Sequence, residues 1–236
     1  MTRILLTGAS RGIGAAARSA LEKRGAQVIG QATSTGNDGL IAADFRDPDA
    51  PRKLWNDALA AADGEIDVLI NNAGLFRATD LDRDAEDWLS DWEETLRINL
   101  SAAAQLSRLA VLHWQATGKS GRIVHVASRA GHRGDSPAHW HYAASKGGML
   151  AMHKTLARAY AGEGILSFAI TPGFTDTAMA GDYLDSRGGE GLLADIPLGR
   201  VAEPEEVARI ITFCALDAPP SMTGATLDAN GASYVR

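Results

Sequence analysis

The chain has 236 residues and carries 23 lysines and arginines against 29 acids, a formal net charge of −6. Hydrophobic residues at 45% and charged residues at 22% are ordinary for a soluble globular protein with its own core. That balance argues against nucleic-acid binding through a basic face, and the single cysteine, Cys214, excludes an internal disulfide or a multi-cysteine metal or iron–sulfur site.

In chain order, apolar β-branched runs predict strands near Arg3–Thr7, Gln27–Gln31, Leu40–Ala43, Asp67–Asn71, Arg122–Ala127, Leu166–Thr171 and Ala225–Asp228. Helical patterns fall near Gly12–Arg24, Pro48–Ala62, Ala85–Thr117, Tyr142–Ala161 and Pro204–Asp217. Alternating strands and helices imply right-handed βαβ crossovers and a doubly wound sheet of about seven mainly parallel strands. No repeat, low-complexity tract or linker divides the chain, so residues 1–236 read as one α/β domain. The second crossover is odd: only residues 32–39 separate the second and third strands, whereas a parallel crossover ordinarily includes a helix. The N-terminal apolar run is too short for a signal peptide's core, and no stretch approaches the ~18 apolar residues of a membrane span. A cytoplasmic protein is the simplest expectation.

The first predicted strand leads into Thr7-Gly8-Ala9-Ser10-Arg11-Gly12-Ile13-Gly14 at the start of a helix. Glycines there allow a tight turn and close backbone approach, and the helix N-terminus offers free N–H groups and positive dipole to an anion. As the first βα turn of such a sheet, it is a candidate dinucleotide site. An NAD site wants an acid at the end of the second strand to bond the ribose 2′-hydroxyl. This chain has Gln31-Ala32-Thr33-Ser34 there, with Arg11 in the loop able to pair with a 2′-phosphate and Thr33 and Ser34 able to add hydroxyl bonds. NADP(H) is therefore favoured over NAD(H).

Tyr142 and Lys146 lie four apart, on one face of a helix. Tyrosine is a poor base near neutrality, and a neighbouring ammonium favours its phenolate. Ser128 follows the fifth strand and Asn71-Asn72-Ala73-Gly74 ends the fourth, where open α/β sheets gather ligand groups.

With the glycine loop, Asn71-Asn72-Ala73-Gly74, Asn99-Leu100, Ser128, Tyr142-x-x-x-Lys146 and Pro172-Gly173 in this order, the chain resembles the classical short-chain dehydrogenases/reductases over essentially its whole length. Within that family it most resembles 3-oxoacyl-[acyl-carrier-protein] reductases. The resemblance implies a Rossmann-like fold and NADP(H)-dependent reduction of a carbonyl, with 3-oxoacyl thioesters as candidate substrates. It gives Tyr142 as general acid/base and has Lys146 lower the tyrosine pKa and bond the nicotinamide ribose. Ser128 would polarise the substrate oxygen, while Asn99 would keep a helix kink and a water in a proton relay. On the cofactor side it implies Gly8, Ser10, Arg11, Gly12, Ile13, Gly14, Thr33 and Ser34, then Asp44 and Phe45 at the adenine. Asn72, Ala73 and Gly74 would lie beside the adenosine ribose and sheet centre, and Pro172, Gly173, Thr175 and Thr177 at the carboxamide. Family members commonly assemble as homotetramers or homodimers through helices corresponding to Ala85–Thr117 and Tyr142–Ala161.

Departures from the pattern keep two other readings open: NAD-dependent oxidation of a secondary alcohol or diol, and a redox sensor that holds dinucleotide without turnover. The second crossover is short, and the stretch between Ser128 and Tyr142 is bulky and one residue longer than the carrier-protein reductases lead one to expect. Four histidines (His125, His132, His139, His141) fall in or near that stretch, with no acid or cysteine at ligand spacing; no metal is expected. Arg129, Arg133 and Lys119 could form a local basic patch for an acidic carrier protein. The segment Thr175–Asp195 reads as a mobile lid over substrate.

Overall fold

The computed structural model describes residues 1–34, 39–176 and 189–236. Strands β1 (Arg3–Leu6), β2 (Gln27–Ala32), β3 (Ile41–Ala42), β4 (Val68–Asn71), β5 (Gly121–Val126), β6 (Ile165–Pro172) and β7 (Thr226–Ala229) form one sheet in the order 3-2-1-4-5-6-7. Every pairing between them is parallel. The chain winds outward from β1 to β3, then crosses back to β4, so the topological switch point lies between β1 and β4. Ligands bind beyond the carboxyl ends of the strands at such a point.

Period-two alternation sends the strand residues to two cores. Ile4, Leu6, Val68, Ile70, Val124, Val126, Phe168 and Ile170 pack with Ala17 and Leu21 of α1 (Gly12–Lys23) and Val207 and Ile211 of α8 (Pro204–Thr212). The residues between them, Leu5, Leu69 and Ile123, face the other way. They meet Leu54 and Trp55 of α2 (Ala50–Ala61) and Leu106 and Trp114 of α4 (Ala102–Thr117). On the helix expected to serve assembly, Leu106 and Val111 are buried in this core, while Leu112 is exposed. Cys214 is buried, and burial pushes its thiol up to about 12, so it acts as a small apolar side chain.

Three local departures from the sequence pattern matter for the site. The third strand contracts to two residues, Ile41–Ala42, paired with Gln31 and Ala32. The pattern over Ala85–Thr117 is two helices, α3 (Ala85–Leu96) and α4, joined by a π-turn at Arg97–Ser101. Such wide turns carry an extra residue that continuous periodicity does not reveal. The stretch after Ser128 opens with a short helix, α5 (Ala130–Arg133), and α6 (Trp140–Tyr160) starts two residues ahead of Tyr142. Elsewhere local signals hold: Asp84 accepts from Glu86 N at 2.9 Å to start α3, and Glu203 and Glu206 form a reciprocal capping box at α8.

Candidate active site

A cleft of about 690 Å³ runs along the carboxyl ends of the strands over the switch point. Its floor at one end is the glycine loop. Gly8 and Gly12 have φ of +66° and +51°, and a Cβ on Gly14 would sit 1.9 Å from Gly8 O. Only glycine lets the turn fold this tightly against α1. No side chain caps the first turn of α1 and no acid stands in it, so its N–H groups and positive dipole face the cleft available for an anion. Thr7 and Asn72 lock the loop to the switch point: Thr7 Oγ1 accepts from Asn72 N and Ala73 N at 3.0 Å each, while Asn72 Nδ2 donates to Thr7 O at 3.0 Å and Gly8 O at 3.1 Å. A glycine cradle, a bare helix terminus and a long cleft at the switch point fit a dinucleotide.

At the other end lie the groups suited to chemistry. Val126 closes β5, and Ala127 N and Arg129 N continue its pairing with β6 by donating to Ile170 O and Pro172 O at 2.8 and 3.0 Å. This holds Ser128, which is buried, beside Pro172 and Gly173. Ser128 Oγ accepts from Ala130 N at 3.1 Å and its hydroxyl bonds the Tyr142 phenol. One turn along α6 from Tyr142, Lys146 Nζ donates to Val126 O at 2.9 Å and lies 5.8 Å from the Tyr142 ring centre.

Burial sets the electrostatics. It pushes Tyr142 up to about 12 and Lys146 down to about 8, because an apolar setting disfavours each charged form. The expectation that Lys146 lowers the tyrosine pKa is thus revised in the protein chain itself. The group that favours the phenolate is Ser128, through its hydrogen bond, and nearby Asp135 opposes it. Lys146 has turned its ammonium to a backbone carbonyl rather than to the phenol oxygen.

Asn99 does not line the cleft but sits behind it, fully buried in the π-turn. Its Oδ1 accepts from Leu75 N at 2.7 Å, and Nδ2 donates to Leu75 O at 2.9 Å and Ser145 Oγ at 3.1 Å. A Cβ on Gly74 would stand 3.5 Å from both Asn99 Oδ1 and Lys146 Nζ, so Asn99, Gly74 and Lys146 are stacked at one spot.

Among the other residues singled out from sequence, Gly8, Ser10, Arg11, Gly12, Ile13, Gly14, Thr33, Asp44, Phe45, Asn72, Ala73, Gly74, Pro172, Gly173 and Thr175 all line the cleft. Ser34, exposed like Thr33, is not among the lining residues. Thr177 lies outside the described residues, as does most of the expected lid. The base of that segment is a bridge between Thr175 and Ala202, with α7 (Gly189–Ala194) beyond.

Several cleft residues carry no sequence motif. Phe76 stacks on His139 at 4.1 Å and meets Tyr142 edge-on at 4.7 Å, walling the reaction end. Their spacing gave a usable hint, since His139 is one turn before Tyr142. The other histidines disperse: His141 pairs with Thr79 at 3.2 Å, His132 stacks on Tyr234, and His125 is buried in the sheet, its imidazole held neutral with a pKa down to about 3. Among the described residues no group of three or more His, Cys, Asp or Glu side chains is placed to hold a metal ion. The suggested basic patch does not assemble. Arg129 and Arg133 both face Asp195, at 3.7 and 2.9 Å, while Lys119 pairs with Glu65 ahead of β5, at the opposite end of that strand.

The fold and cleft define a dinucleotide-binding oxidoreductase of the Rossmann-like class. Residues 8–231 match the family model described as Enoyl-(Acyl carrier protein) reductase. The chain is 36% identical over 242 residues to 3-oxoacyl-[acyl-carrier-protein] reductase FabG of Salmonella typhimurium, covering 98% of this chain and 96% of that one. Among solved structures it superposes on a short-chain type dehydrogenase/reductase from Mycobacterium marinum with TM-score 0.89 and 26% identity, covering 100% and 96% of the two chains. An Agrobacterium tumefaciens protein assigned as a 2-deoxy-d-gluconate 3-dehydrogenase, with bound NADP, superposes with TM-score 0.86 and 29% identity, covering 100% and 97%. The chain belongs to the short-chain dehydrogenase/reductase family.

Proposed function

We propose that this enzyme reduces a carbonyl to a secondary alcohol with NADPH, and that 3-oxoacyl thioesters are the first substrates to test. The observation that carries the reading is the convergence of Ser128, Tyr142 and Lys146 at one end of a glycine-cradled cleft. NADPH, when bound, supplies the hydride. The protein's share is binding, orientation and a proton. Ser128 holds the carbonyl oxygen and Tyr142, protonated throughout the physiological range, donates its proton there as general acid. Lys146, fixed at Val126 O in the cleft, would bond the nicotinamide ribose. Asn99 holds the Gly74–Leu75 wall against α6 and keeps the relay position behind Lys146.

Cofactor choice follows charge. The end of β2 presents no carboxylate to a 2′-hydroxyl, and Asp44 is already engaged by Arg46 through three side-chain bonds of 2.6–3.0 Å. Exposed Arg11 and Thr33 remain for a 2′-phosphate. The FabG relatives support a thioester substrate, and the NADP in the Agrobacterium structure supports the cofactor. A second reading, oxidation of a secondary alcohol, is favoured by the dehydrogenases among the structural relatives and by the bulky Phe76–His139 wall. One domain would carry both sites in a cytoplasmic homo-oligomer, and no helix among the described residues is long and apolar enough to cross a membrane.

The test follows nicotinamide absorbance with 3-oxoacyl thioesters, simple ketones and polyols, each with NADPH/NADP⁺ and NADH/NAD⁺. NADPH consumption by a thioester is the expected result. Turnover only of an alcohol with NAD⁺ would establish the second reading in its place.

A further inference from the structure

We infer that Gln31 is a positioning residue that sets the width of the adenosine half of the cleft, an inference that rests on the dinucleotide function proposed above. Two walls enclose that half: the glycine turn at Gly8–Ile13 and the segment Ala43–Arg46 that follows β3. In the ordinary doubly wound sheet a crossover helix packs between β2 and β3 and braces the second wall. Here residues 33–40 make the connection, and β3 contributes only two paired residues, Ile41 and Ala42. One more backbone bond, Ala43 N to Ala32 O at 2.8 Å, carries that pairing into the second wall, where Phe45 is buried and Arg97 donates to Arg46 O at 3.3 Å.

Gln31 ties the two walls to each other in place of the crossover helix. Its Oε1 accepts from Gly8 N at 2.8 Å, in the first wall, and its Nε2 donates to Ala43 O at 2.6 Å, in the second. Its own carbonyl accepts from Ala9 N at 2.8 Å. Gln31 is 2% exposed and lines the cleft, with its bond to Ala43 O buried and its bond to Gly8 N partly so. An amide is the group this geometry requires, since one end must accept and the other donate. It also takes the Gly8 N–H out of play as an anion donor, leaving the phosphate contacts to the N–H groups at the start of α1.

The brace touches only the adenosine half, which gives a test that general damage to the fold would not mimic. Binding of NADPH and of reduced nicotinamide mononucleotide, which lacks the adenosine half, is measured by nicotinamide fluorescence for wild type, Gln31→Leu and Gln31→Glu. Gln31→Leu should raise Kd for NADPH about tenfold, the scale of losing two neutral hydrogen bonds. It should leave the mononucleotide Kd and kcat at saturating NADPH within about twofold. Gln31→Glu keeps the acceptor for Gly8 N–H but loses the donor and adds a charge beside the phosphates, so it should weaken NADPH at least as much. Equal losses for both nucleotides, or unchanged NADPH binding in both variants, would overturn the inference while leaving the proposed function intact. If Gln31→Leu does not fold, the isosteric Gln31→Glu decides alone by the same comparison. A wild type that binds neither nucleotide would overturn the proposed function and this inference with it.

Discussion

At the reaction end of the cleft, Lys146, Ser128 and Asn99 are buried between α6, β5 and the π-turn, each held by a bond to another element. At the adenosine end, Arg11, Thr33 and Arg46 stand exposed on loops around a two-residue edge strand. The first region is preorganised: its dipoles and charges are set before substrate arrives, in a medium that amplifies them. The second recognises by charge in contact with solvent, where single contacts are weak and screened by salt. Substitutions at the two ends should therefore differ both in size and in what they change.

The largest effect is expected at Tyr142. Phenylalanine keeps the ring that packs edge-on against Phe76 but removes the proton donor, so Tyr142→Phe should lower kcat by about 10³-fold, within the range for general acid catalysis. NADPH affinity should stay within about threefold by fluorescence titration. Substantial remaining turnover would remove the tyrosine from the mechanism.

The cost of preorganisation appears in stability. Lys146 has a folded-state pKa of about 8 against the ordinary lysine value of 10.5. Between those values the unfolded chain binds more protons than the folded one, so stability rises with pH across this window as the penalty for burying the ammonium is relieved. A shift of that size corresponds to something on the order of 3 kcal/mol. Tyr142 acts oppositely: raised to about 12, it keeps its proton in the fold after the unfolded chain has lost its own, and stability falls above about pH 10. Denaturant unfolding from pH 7 to 10 should show the rise in wild type and a flat profile in Lys146→Met. A wild-type profile already flat would mean that the lysine is solvated.

The same contrast explains how far the sequence could be read. The reaction end was legible because its chemistry constrains residue type and spacing together: Tyr142 and Lys146 must share a helix face, and Ser128 must follow β5. The glycine loop was legible because Gly8 and Gly14 occupy backbone space closed to any Cβ. Gln31 and Phe76 escaped notice because their roles come from contacts between segments distant in sequence, to Gly8, Ala43, His139 and Tyr142, which no local periodicity encodes. The π-turn at Arg97–Ser101 was hidden for a related reason. Its extra residue is stabilised by Asn99 bonding back to Leu75, a tertiary interaction. The reading of Lys146 as the group that lowers the tyrosine pKa failed on geometry, since spacing of four brings the two residues to one face without saying where the ammonium points.

The smallest effects belong to the adenosine end, and there the lining of the cleft separates neighbours. Arg11 lines the cleft and is exposed, so Arg11→Ala should weaken NADPH about tenfold at low salt, the scale of one charge-assisted phosphate contact. It should leave NADH nearly unchanged, and the loss should shrink as salt is raised because the contact is screened. Thr33→Ala should cost about two- to fivefold in NADPH affinity by removing one hydroxyl bond. Ser34→Ala should cost nothing measurable, because Ser34 does not line the cleft. Titration of the three variants with both reduced cofactors, at two salt concentrations, reads all of this from one assay. An Arg11→Ala protein that lost NADPH and NADH alike would place that guanidinium on the diphosphate rather than the 2′-phosphate, and cofactor choice would then fall to Thr33 and the missing acid alone.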